Sequence, residues 1–157
     1  MSKNRIEKLS QLLSRIETRI PYEAIKNDAV STSTIGWQID HTLKVFNAVS
    51  QWTENSNPDD YKYKFSLWRS VLFPLGYIPR GKVRAPKATQ PPDIILKEAI
   101  LNQIQIAYTH IEKLKTLPKN SYFNHFIFGN LPKKKTLRFL EMHTNHHLKI
   151  IEDILKK

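Results

Sequence analysis

Apolar residues recur at three- and four-residue spacing through four long stretches of the chain, and no segment alternates convincingly with period two. The first stretch covers about residues 4–20, with Ile6, Leu9, Leu13, Ile16 and Ile20 on one face, and Pro21 then discourages continuation. The second covers about 34–55. Ser31, Thr32 and Ser33 offer N-cap oxygens before it, and Asn-Ser-Asn-Pro ends it. The third opens after Pro91-Pro92 with Asp93 as the expected cap and stops before Pro118. The fourth starts near Pro132, a residue suited to a first helical turn, and runs to the closing lysines, which suit a helix C-terminus.

Between the second and third stretches the pattern breaks down. YKYKFSLWRSVLFPLGYIPRGKVRAPKATQPP carries five of the nine prolines, and a short helix is predicted only around 65–73. So long a connection in a compact domain is usually functional. The expected fold is all-α: a four-helix bundle in one domain spanning residues 1–157, with a long Pro-rich crossover between helices two and three.

Composition narrows the chemistry. The 157 residues include no cysteine, which excludes disulfides, thiolate metal sites and cysteine nucleophiles. A net charge of +11 suits either phosphate neutralisation on a nucleic acid or the attraction of a small anion into a basic mouth. The lysines are scattered, however, and no nucleic-acid-binding motif is present, so nucleic acid is disfavoured. The N-terminal segment is charged and amphipathic without an apolar signal core, and no stretch approaches the roughly 18 apolar residues of a membrane span. The expectation is a cytoplasmic protein that does not engage a membrane.

The fourth helix contains HTNHH. At 100° per residue, His143 and His147 share the centre of its apolar stripe with Leu140, Ile150 and Ile154, and His146 falls on the edge. Spacing of i, i+4 brings two imidazoles onto one face within reach of one ion. The second helix, GWQIDHTLKVFNAVSQW, places His41 centrally among Trp37, Val45, Ala48 and Trp52. A lone core histidine is ordinarily satisfied by backbone or water. Three at the centres of two stripes point to a divalent ion, which would satisfy one nitrogen of each at once. No Glu lies between the paired histidines, so a thermolysin-type protease is disfavoured.

GWQIDH and HTNHH resemble the DinB/YfiT-like superfamily of metalloenzymes. HFIFGNL, LRFLEMHTNHHLKIIEDI and the loop IPRGKVRAPKATQPP resemble its uncharacterised, domain-of-unknown-function branch, and the likeness runs from about Ile35 to the end. The resemblance implies up-down-down-up helix order and a divalent metal, zinc or nickel foremost, on His41, His143 and His147. Relatives of this kind include bacillithiol- or mycothiol-linked transferases, isomerases and hydrolases, and DNA binding is not implied. Phe126 departs from the proline expected after the loop histidine. The resemblance also favours His125 at the mouth of the site.

Further candidates surround this core. Gln103 and His110, on the third helix's stripe, are candidates to orient a ligand, as is Trp37 beside His41. Asp40 points about 100° away from His41, to a cap or to solvent, and Glu141 lies on the polar face, so no carboxylate is an evident general base. Arg80, Lys82, Arg84 and Lys87 form a basic loop in which Arg80 and Arg84 suit an anionic substrate. Lys133-Lys134-Lys135 opens a helix where the dipole disfavours cations, which hints at a nearby anion. Ile39, Leu43 and Phe46 form a second apolar arc that either packs the inserted segment or joins two subunits in a homodimer. The functional expectation is a metal-dependent hydrolase or a thiol (bacillithiol-type) S-transferase acting on a small anionic or thiol substrate. The alternative is a non-catalytic metal-binding or basic scaffold protein that contacts nucleic acid.

Overall fold

The computed structural model describes residues 2–81 and 86–156. The chain is mostly helical. In order come α1 (Ser2–Glu17), α2 (Ile35–Glu54), α3 (Leu67–Leu75), α4 (Lys97–Thr116), a hairpin of β1 (Tyr122–His125) and β2 (Gly129–Pro132), and α5 (Lys133–Leu155). The four long helices follow the apolar periodicity. Thr34 caps α2 by accepting the Trp37 N–H at 3.1 Å, which fixes where the helix bearing His41 begins. Gly36 permits a close crossing there: its N–H donates to the Glu23 carbonyl at 2.8 Å, and a Cβ would sit 3.1 Å from that oxygen.

The hairpin is a correction to the all-α expectation. Tyr122 pairs with Pro132 and His125 with Gly129 in antiparallel register, and Gly129 takes φ +68° at the turn. Each strand is only four residues long, too short for alternation to stand out in sequence. Tertiary burial of Phe123, Phe128 and Leu131 holds it. The crossover also has structure of its own: α3 opens on Ser66, whose hydroxyl accepts the Arg69 N–H, and ends at Gly76. Arg69 is buried and ties α3 down by donating to the carbonyls of Lys64, Phe128 and Asn130. Asp93 does not cap α4. Leu96 stands extended at the N-cap position with no side-chain cap bond, and Ile95 packs on the core.

α1 packs on α4 and α5, and α2 packs on the same two helices, around one contiguous apolar core. This closed set of contacts alters the two polar faces read from sequence. Glu141 is 5% exposed and lies among Arg5, Lys8 and Arg138. Its neighbour on that face, Glu152, pairs with Arg15. α1 therefore covers the supposedly polar side of α5 through ion pairs. Asp40 is likewise buried, accepting from Gln103 Nε2 at 2.7 Å and pairing with Lys44 at 2.7 Å. Ile39, Leu43 and Phe46 lie in the chain's own core, so this arc offers nothing to a second subunit. Lys133 also finds a local role. Its ammonium donates to the carbonyls of Lys115 and Leu117, serving the C-terminus of α4 rather than an anion at its own helix.

Candidate metal centre

His41 projects from the first third of α2, and His143 and His147 from the middle of α5, two helices in direct contact. The ring centroids are 5.2 Å apart for His41–His143, 4.8 Å for His41–His147 and 4.6 Å for His143–His147. One ring nitrogen from each lies within 4.8 Å of the other two. His41 is 5% exposed and His147 7%, while His143 is half-buried and opens onto a cavity.

Hydrogen bonds set the tautomers. The Nδ1 of His41 lies 2.8 Å from the Thr89 carbonyl oxygen, which can only accept, so that nitrogen carries the proton. The Nδ1–H of His147 donates in the same way to Gln38 Oε1 at 2.7 Å, and the Gln38 amide in turn donates to Ser31 Oγ at 3.3 Å. Both rings are thereby turned so that Nε2 keeps a free lone pair. An imidazole oriented through its second nitrogen by a carbonyl is the usual state of a metal-ligating histidine. Trp37 stacks on one face of His41 at 5.1 Å, and Phe139 flanks His143 at 5.7 Å.

Electrostatics agree with a neutral donor set. Burial pushes His143 and His147 well below the usual histidine range, and the neighbouring imidazoles push the same way. Burial also lowers His41, against the opposing pull of the Thr89 hydrogen bond and Asp40. Three neutral imidazoles are what a borderline divalent ion such as zinc or nickel prefers. Nitrogens of a tetrahedral zinc site sit about 3.4 Å apart, so closing on an ion takes movements of about an ångström. Side-chain rotation can supply that. The residues present fit such an ion.

Two further histidines line the same cavity. His125, at the end of β1, accepts the backbone N–H groups of Ile127 (3.1 Å) and Phe128 (3.3 Å) on Nδ1, so its own proton sits on Nε2. Burial among Phe126, Phe128 and Phe139 pushes it down to about 4. His146, placed by sequence at the stripe's edge, lies on the cavity wall. Burial, then Arg80, lowers it to about 4 against a hydrogen bond to the Ile78 backbone.

The remaining sequence candidates divide. Trp37, His125 and Arg80 line the cavity. Gln103 and His110 do not: Gln103 serves buried Asp40, and the His110 ring pairs with Glu54, because their stretch of α4 faces the other side of α2. Arg84 and Lys82 lie outside the described residues. Arg80 is engaged by Asp153 at 2.8 Å. Sequence reasoning missed Gln38 and Thr89. Gln38 sits about 60° from His41 on the helix circumference, so its placement was readable from the 100° step. Thr89 contributes through a backbone carbonyl, for which residue type carries no signal.

Among the described residues, no carboxylate lines the cavity, and His41, His143 and His147 are the one group of three metal-ligating side chains close enough to share an ion. Among the described residues, no helix is long and apolar enough to cross a membrane. No curated protein and no solved structure matches the chain. Residues 78–154, which carry Thr89, His125, His143 and His147 but not His41 or Gln38, match the family model described as protein of unknown function (DUF1569).

Proposed function

We propose that the chain is a divalent-metal-dependent enzyme of the DinB-like four-helix type, a hydrolase or thiol S-transferase, with His41, His143 and His147 as ligands to zinc or nickel. The observation that carries this reading is the orientation of His41 and His147. Each spends Nδ1–H on a protein carbonyl oxygen and keeps the Nε2 lone pair free, in a cluster where one ring nitrogen of each histidine lies within 4.8 Å of the others. Core histidines without an ion would instead need acceptors and donors at both nitrogens.

A bound divalent ion would supply Lewis acidity towards a substrate carbonyl, water or thiol. His41, His143 and His147 would hold it, and His143 is partly exposed to the cavity from which a substrate would approach. The chain's own residues then position and stabilise. His125 is held neutral with its proton on Nε2, so it donates a hydrogen bond to an oxygen bound in the cavity. Trp37 fixes the His41 ring. The absence of a carboxylate among the described lining residues favours chemistry in which no Asp or Glu acts as base.

The test is elemental analysis of untagged protein beside His41→Ala, His143→Ala and His147→Ala. About one divalent ion per chain is expected for the parent protein, falling sharply in each variant. Absence of bound metal, with no uptake of added Zn²⁺, Ni²⁺ or Mn²⁺, would overturn the reading. Metal-loaded protein then enters ester, amide and thiol-transfer screens.

A further inference from the structure

The cavity beside the histidines is far larger than an ion and a few waters require. Its volume is about 1050 Å³, at the upper end of sites that enclose drug-sized molecules. From His41 an apolar strip runs along α2 through Val45, Ala48 and Val49 to Trp52, all on the cavity wall. At 1.5 Å per residue it is about 16 Å long. Trp52 stacks on Phe123 of the hairpin at 5.4 Å, giving that end of the strip an aromatic wall. On the mouth side, Trp68 of α3 lines the cavity while remaining 62% exposed, beside exposed Leu67 and Val71. The apolar lining thus continues onto the outer surface.

Arg80 is the single cationic side chain among the described lining residues, and Asp153 already holds its guanidinium. A multiply charged body laid along the strip from Val45 to Trp52 would lose its water shell against apolar walls with little compensation. The imidazoles of His41, His143, His147, His146 and His125 also line the cavity, with Ser31, Ser33, Gln38, Thr89 and Asn124 as the other polar residues of the described lining.

We infer that the site takes an extended apolar molecule, alkyl or aryl in its body, with a single polar group at the end that reaches the histidine cluster. It rests on the metal reading for the polar end only, since the apolar body is selected by the strip from Val45 to Trp52.

The experiment is calorimetric titration with butyl, octyl and dodecyl hydroxamates below their micelle concentrations, on zinc-loaded and on chelator-treated protein. Each methylene buried on the strip should strengthen binding roughly threefold, so octyl should bind on the order of a hundredfold tighter than butyl. Zinc should shift the whole series by a common factor. Ala48→Phe, which fills the strip midway, should leave butyl binding unchanged and weaken dodecyl binding at least tenfold. A flat response to chain length in the parent protein, with or without zinc, would overturn the inference. So would tighter binding of citrate than of the octyl compound. Failure of the metal reading looks different: zinc would make no difference to any compound while the chain-length dependence persisted, which still supports the inference.

Discussion

Gln38→Leu tests the reasoning about tautomers most directly. The substitution keeps the volume and the helix while removing the one oxygen that accepts from His147 Nδ1 at 2.7 Å. Gln38 is 3% exposed and His147 7%, so water does not readily replace it. Two magnitudes follow. The stranded N–H costs about 1–3 kcal/mol of folding stability in metal-free protein, the usual penalty of a buried donor without a partner. Released from its acceptor, His147 can rotate or move its proton to Nε2, the nitrogen the ion needs. Losses of this kind weaken metal affinity by about 10–100-fold. The first quantity is read by urea unfolding in chelator, the second by zinc competition against a chromophoric chelator. Gln38→Glu serves as the counter-variant, because a carboxylate accepts from the same N–H and should hold metal affinity at or above that of the parent. If Gln38→Leu binds zinc within twofold of the parent while His147→Ala does not bind, orientation through Nδ1 is irrelevant and the argument fails.

Two further predictions concern stability. His125 is lowered to about 4 in the folded chain against about 6.5 unfolded, so the unfolded state takes up its proton first as pH falls. Its contribution is complete above pH 6.5 and is lost towards pH 4, by up to about 3 kcal/mol, and urea unfolding in chelator across that window should be less steeply pH-dependent in His125→Phe. Glu141→Ala removes the carboxylate shared by Arg5, Lys8 and Arg138 at the seam of α1 and α5. With the cations partly exposed, the expected loss is about 2 kcal/mol, measured as a lower urea midpoint at unchanged slope. A Glu141→Ala protein as stable as the parent would mean that the Arg5, Lys8 and Arg138 pairs contribute nothing net to holding α1.

The linear order of residues determined the helices and the inward direction of three histidines. Periodicity of 3.6 is a local property, so Ile6 to Ile16, Trp37 to Trp52 and Leu140 to Ile154 declare their faces without knowledge of any partner. The same step of 100° also put Gln38 near His41, although an amide on a helix face has many equivalent explanations. What surrounds those faces was decided in three dimensions. Glu141 and Asp40 read as solvent-facing because a charged side chain in isolation prefers water. Only the docking of α1 and α4, with Arg5, Lys8 and Gln103 arriving from distant parts of the chain, made their burial tolerable. The hairpin depends on Phe123 and Leu131 finding a core, not on an intrinsic pattern in four residues. Thr89 orients His41 through a carbonyl that every residue type possesses, and the apolar cavity is empty space bounded by α2, α3, the hairpin and α5. Neither a backbone acceptor nor a void leaves a mark on the residue order, since both exist only as relations between segments the fold brings together.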